Sequence, residues 1–295
     1  MLIGGLYTGG DQISYTKVYE SIGSMGLVDA FSYYTFNLGS IELIHFIFIW
    51  SLSHYLPKVL LFSIINTILA GLIVRLFDSL RVNFLVTSVF LLTNFYLYVL
   101  FFAAERLKFG FILLVLGLSM QAGKKLKIPV ILMSFTAHFQ MILVVFPKVF
   151  EMVVNRLVGV VKVQKFNLRI LLLIIPPLLM FPSFPEYLIR KVQAYESTGS
   201  VFDYTRVSLF LLLSLWYIPN RKGKRYAFTM FLVLYISVYF FGDARVNMIA
   251  YIYFLMFALG YRNGINIGIL ITSIYFFVKT IIFVNNIVQF SHGFP

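Results

Sequence analysis

Four polar positions in a strongly apolar chain have types that suit group transfer to a hydroxyl: Asp11, Arg106, His138 and Arg245. Asp11 opens the stretch GGDQISYTKVY, and Tyr15 and Tyr19 follow it at one and two helical turns, so a helix beginning there lines up all three on one face. A carboxylate or a histidine can accept the proton of an attacking hydroxyl, and an arginine can hold a phosphate through paired N–H donors. Each residue also has a structural reading. Asp11 is a favoured N-cap residue, with the glycines making the turn and the tyrosines anchoring at a membrane surface. Arg106 can pair with its neighbour Glu105, and Arg245 with Asp243. His138 can be a neutral histidine bonded within the bundle, with Thr136 or Gln140 as neighbours.

What must position these groups is a membrane bundle. Of 295 residues, 60% are hydrophobic and 12% charged, against about 25% charged in ordinary soluble domains. The apolar runs lack the alternation of barrel strands, and a backbone in lipid must satisfy its own hydrogen bonds, so the spans are helices. The expected fold is all-α: a single polytopic transmembrane domain of about ten membrane helices behind an N-terminal interfacial segment, residues 1–57. Spans are expected near 59–76, 83–102, 107–121, 128–146, 149–163, 170–184, 207–218, 226–241, 246–261 and 265–284, with a long extracytoplasmic loop over 184–206. The helix near 41–55 carries Glu42, His45 and His54. It is short and amphipathic and reads as interfacial or re-entrant, with a crossing as the alternative. No full helix precedes the Asp11 motif, so an upstream helix is expected.

The net charge of +13 is explained by topology rather than nucleic acid. Arg75 with Arg81, then Lys124, Lys125 and Lys127, then Lys162, Lys165 and Arg169, then the RKGKR run from Arg221 to Arg225, and last Arg262, all fall in loops assigned to the cytoplasm. Asp11, Arg106 and Arg245 then face the opposite side. His138 falls inside the hydrocarbon zone, where ionisable groups are usually functional. The 184–206 loop offers Arg190 and Lys191 for anionic groups and Tyr195 for stacking, or is an interfacial helix with aromatic anchors. Cys is absent. No Walker loop, dinucleotide fingerprint or zinc-protease motif is present, which argues against a motor, a dinucleotide enzyme or a zinc protease.

Taken in order, GGDQISYTKVY, Glu42 at the head of the next helix, the block from Arg106 through the basic loop to His138, KVQAYES and DARVNMIAYIYF resemble the EpsG family of bacterial exopolysaccharide polymerases, relatives of the Wzy O-antigen and capsule polymerases. The family's arginine just before the Asp motif is replaced here by Tyr7. The resemblance implies an enzyme of the bacterial inner membrane, active on the extracytoplasmic side. It would transfer an undecaprenyl-pyrophosphate-linked glycan to the hydroxyl of another lipid-linked repeat unit. It also implies the lipid bilayer, a chain-length regulator and a flippase as partners. Arg106 and Arg245 would meet the pyrophosphate, with Arg190 and Lys191 in support. The base is Asp11 or His138, and Tyr15, Tyr19 and Tyr195 contact substrate. No cofactor or metal is expected, since basic groups can supply the electrostatics. Two other readings share the bundle: a transporter of lipid-linked oligosaccharide, and a membrane acyltransferase using His138.

Overall fold

The computed structural model describes residues 2–120, 126–144, 201–241 and 243–294, and among these every regular element is helical. They fall into two units, Met1–Met141 with Asn263–Pro295, and Ile142–Arg262.

The first unit begins with three short helices before any long one: α1 (Leu2–Leu6), α2 (Asp11–Ile22) and α3 (Leu27–Leu38). Gly10 precedes α2 with φ +60°, a left-handed conformation that suits glycine, and its placement makes Asp11 the first helical residue rather than the cap. The turn is held by Ser291, whose carbonyl accepts from the backbone N–H groups of Thr8 and Gly9 at 3.0 and 2.8 Å. At the end of α3, Gly39 again takes a left-handed φ, and the chain bends by 118° into α4 (Leu43–Leu52). Helices of 12 and 10 residues are about 18 and 15 Å long. Bent so sharply, the pair does not make a straight crossing of a hydrocarbon core of about 30 Å.

Among the described residues, two helices are long and apolar enough to span: α5 (Lys58–Ser79) and the stretch Tyr261–Phe290. The latter comprises a short 3-10 turn (Tyr261–Gly264) and the final helix Ile267–Phe290. Both helices present apolar side chains outward, Leu60, Ile64 and Ile68 on α5 among them. In the final helix Ile267, Leu270, Ile274 and Ile281 are exposed, whereas Thr272 and Thr280 are buried and Thr280 donates to the carbonyl of Thr93 at 2.9 Å. Apolar surface outward with hydrogen-bonded hydroxyls inward is the arrangement a lipid solvent favours. The chain is therefore a helical membrane protein.

Several expected spans are broken in the structure, for identifiable reasons. Residues 83–102 form α6 (Phe84–Thr93) and α7 (Phe95–Phe102), bent by 54° at Asn94. Asn94 is extended and its side chain caps α7 by accepting from the Leu97 N–H at 3.0 Å, so the sequence restarts a helix there rather than continuing one. After α8 (Glu105–Ser119), the helix expected over 128–146 is α9 (Lys127–Ala137), which stops at an extended His138 and passes into a 3-10 turn, Phe139–Met141.

Gly110 and Gly117, two turns apart on α8, let α9 approach closely. A Cβ at Gly117 would lie 2.5 Å from Ile131 Cγ1, and one at Gly110 would lie 2.7 Å from Met141 Cγ and 3.3 Å from His138 Cβ. Small residues at such contacts are how membrane helices pack. Gly110→Ala is expected to destabilise by about 1–3 kcal/mol through overpacking and to push the His138 turn away from α8. Thermal denaturation in detergent measures the first effect, and loss of activity disproportionate to it the second.

The second unit packs Val201–Tyr217, Arg221–Phe241 and Asp243–Ala258 (α10, α11 and α12) through aromatic contacts, Phe210 against Tyr251 and Phe254, and Tyr217 against Phe254. Two expectations are corrected there. Residues 201–206, assigned to the long loop, are the first turns of α10, and the RKGKR run is not a loop but the start of α11, with its four basic residues exposed. The final helix Ile267–Phe290 is α13. The spans expected over 149–163 and 170–184, and Arg190, Lys191 and Tyr195, lie outside the described residues.

Candidate functional site

The first unit gathers its charges around Glu42, in the bend before α4. Ser40 donates its hydroxyl to Glu42 Oε2 at 2.9 Å, Arg106 Nη1 lies 3.2 Å from the same oxygen, and His138 Nδ1 contacts Glu42 Oε1. Arg106 Nε–H donates to the Tyr15 hydroxyl at 3.0 Å, and its guanidinium lies 5.6 Å from the Tyr15 ring centroid. All three ionisable partners are sequestered: Glu42 is 5% exposed, Arg106 8% and His138 6%. Charged groups withdrawn this far from water persist only when paired and hydrogen-bonded, and here four separate segments meet to do it.

The local sequence explains how each arrives. Extended backbone at Glu42 and His138 aims both side chains at the same point from the ends of α4 and α9. Arg106 stands in the first turn of α8, and Tyr15 lies on the buried face of α2. His138 Nδ1 contacts the carboxylate as an ion pair without a hydrogen bond in the structure, and Nε2 lies 3.2 Å from the Gln140 side-chain oxygen, a contact in which Nε2–H is the donor. A nearby second histidine, His45, accepts or donates through Nδ1 to the Tyr34 hydroxyl at 3.0 Å, and its buried Nε2 has no hydrogen-bond partner in the structure.

Beside this cluster lies another buried ion pair. Glu105 does not pair with Arg106, as adjacency suggested, but with Lys58 at the start of α5, Nζ to Oε1 3.0 Å. Successive residues at the head of α8 point in different directions, so one serves Lys58 and the next Glu42. Lys58 also donates to Gln12 Oε1 at 2.9 Å and Thr16 Oγ1 at 3.0 Å. Lys108 is fully buried, donates to the Phe101 carbonyl at 2.9 Å and lies 4.9 Å from the Phe62 ring centroid.

Of the residues singled out in the sequence, Tyr15, Arg106 and His138 are brought together, and Tyr19 stands one turn along α2, its hydroxyl donating to the Leu56 carbonyl at 2.8 Å. Asp11 opens α2 one and two turns before Tyr15 and Tyr19, but it is exposed at the helix start and outside the ion-paired cluster, while the tyrosines are buried. Arg245 belongs to α12 in the second unit. Glu42 was legible as the acidic head of an amphipathic helix but not as the residue that joins Arg106 to His138. Lys58 and Lys108 carried no motif; their only signal was a cation beside an otherwise apolar run. Among the described residues, no group of three or more His, Cys, Asp or Glu side chains is placed to hold a metal ion.

Burial raises the Tyr15 hydroxyl above its ordinary range, against the pull of Arg106, and pushes Tyr19 up to about 12, with Glu105 adding to it. A hydroxyl that holds its proton more tightly when folded stabilises the fold fully below its unfolded value, near 10. That contribution is lost as the pH rises toward 12. Tyr19→Phe is therefore expected to raise the midpoint of alkaline unfolding, read by far-ultraviolet circular dichroism, while lowering stability slightly at neutral pH through the lost bond to Leu56.

Compared with known proteins, the chain matches no family model, no curated protein and no solved structure.

Proposed function

We propose that the chain is a multi-pass polysaccharide polymerase of the bacterial inner membrane, with about ten spans and its reaction on the extracytoplasmic side. The observation that carries the reading is the buried Glu42–His138 pair with Arg106 and Tyr15 behind it. A base held by a carboxylate, with a third group orienting that carboxylate, is the arrangement that activates a hydroxyl nucleophile. The membrane setting and the order of the EpsG-like segments supply the substrate class, a glycan linked to undecaprenyl pyrophosphate.

In the proposed step a hydroxyl oxygen of one lipid-linked repeat unit attacks the anomeric carbon of another glycan. The new glycosidic C–O bond forms as the bond to the pyrophosphate breaks, and undecaprenyl pyrophosphate leaves with the bonding electron pair. For the step His138 takes the tautomer with its proton on Nδ1 toward Glu42, Gln140 gives way at Nε2, and the hydroxyl proton passes to Nε2. Glu42 fixes the imidazole tautomer and stabilises the imidazolium that forms. His138 is preferred to Asp11 as the base because it is held by a buried partner, while Asp11 is exposed at a helix start. Arg106 positions Glu42 and Tyr15. Arg245, Arg190 and Lys191 are assigned to the pyrophosphate on the resemblance alone, as is contact of Tyr195 with substrate. A chain-length regulator and a flippase remain the proposed partners.

Deleting the chain from its host and separating the surface glycan by electrophoresis tests this directly. A polymerase predicts loss of the long-chain ladder with single repeat units accumulating outside. Units retained on the cytoplasmic side would indicate a transporter, and a normal ladder lacking acyl groups would indicate an acyltransferase.

A further inference from the structure

A cavity of about 580 Å³ lies in the first unit between α2, the start of α5 and the α7–α8 junction, bordered by Lys58 and Glu105 but by neither Arg106 nor His138. Its volume suits a small ligand. We propose that it binds an uncharged sugar ring, and, resting on the polymerase reading, that this is where the acceptor unit is held. Its charge is the first argument. An ammonium has three donors, and those of Lys58 are directed to Glu105, Gln12 and Thr16. Glu20, an exposed carboxylate, also borders the space. Among the lining side chains one cation stands against two carboxylates and its three donors are taken, which leaves no lining cation for a diphosphate.

The second argument is the rest of the lining. It includes the aromatic side chains Tyr19, Phe62 and Phe102, of which Phe102 is the least buried, and an aromatic wall suits the C–H face of a pyranose. Thr8, Ser63 and Asn66 add polar side chains to the same lining. A ligand carrying hydroxyls along its edge and an apolar face matches a lining that mixes aromatic and uncharged polar side chains. The cavity is also tied to the ion-paired cluster by shared elements. α2 carries Tyr15, bonded to Arg106, beside Gln12, Thr16 and Tyr19 of the lining, and Glu105 of the lining directly precedes Arg106.

The absence of Cys makes one introduced thiol a specific reporter. Ser63→Cys places it in the lining and is read as the rate of modification by N-ethylmaleimide in nanodiscs of phosphatidylethanolamine and phosphatidylglycerol. The probes are the methyl glycosides of glucose, galactose and their N-acetylamino counterparts, with glycerol, choline and inorganic phosphate as comparisons. At a concentration twice its Kd, a bound glycoside slows modification about threefold, and the comparison compounds do not. Adding Phe102→Leu is expected to leave the unprotected rate unchanged and to abolish the protection. The proposal is overturned by a thiol that does not react, by protection from choline or phosphate rather than any glycoside, or by protection that survives Phe102→Leu. Protection together with a normal glycan ladder in the deletion strain would keep the sugar site and remove the polymerase. A lost ladder without protection would do the reverse.

Discussion

Glu42→Ala is expected to cost about 3–5 kcal/mol of stability, the range for removing one partner of a buried ion pair, and to abolish glycan transfer. Its carboxylate is the shared partner of Arg106, His138 and Ser40, and at 5% exposure the groups left behind have little water to replace it. Thermal denaturation of the purified chain in detergent measures the loss. A double-mutant cycle with Arg106→Ala separates this account from a general effect on folding. If the two act through one contact, the double variant is less destabilised than the sum of the singles by about 0.5–3 kcal/mol. Additive losses would mean that the 3.2 Å contact has no energetic content.

The other large effect falls on rate. His138→Ala is expected to lower transfer by about 10²–10⁴-fold, the usual contribution of a positioned acid–base group, whereas Asp11→Ala should change it little, since Asp11 stands exposed and outside the cluster. His138→Ala also removes a partner of Glu42, so part of its effect is structural. Rates compared at equal amounts of folded protein separate the two, and a pH profile adds a second readout. Removal of the base should abolish the acidic limb of the rate profile, while a purely structural role would lower the rate at every pH and leave its shape unchanged.

The sequence carried the class of fold and the identity of most cluster members, for a physical reason. Ionisable groups are scarce in this chain, so each one inside or beside an apolar run is conspicuous, and Arg106 and His138 stood out on that ground, Tyr15 by its spacing from Asp11. What it did not carry was which charge meets which. Arg106 has a carboxylate at the next position, yet it pairs with Glu42, 64 positions earlier, while Glu105 pairs with Lys58. Adjacent helix residues diverge by about 100° around the axis, so nearness in sequence was a poor guide to contact.

Helix ends were hidden for a related reason. The runs over 83–102 and 128–146 are apolar throughout, and hydropathy does not register that Asn94 caps a new helix or that His138 leaves α9 in an extended conformation. These breaks matter to the site. A continuous helix through His138 would keep its backbone helical, whereas the break lets the imidazole reach the bend that holds Glu42. At the amino terminus the pattern was right about a helix beginning at Asp11, while Gly10 rather than Asp11 takes the capping position.

The central claim is tested most directly by reconstituting the purified chain in vesicles with undecaprenyl-pyrophosphate-linked repeat units and following both elongation and release of undecaprenyl pyrophosphate. The account predicts longer glycan and equimolar release from the wild-type chain, with both reduced at least about a hundredfold in His138→Ala. Equal elongation by the wild-type and His138→Ala chains at matched folded protein would contradict it.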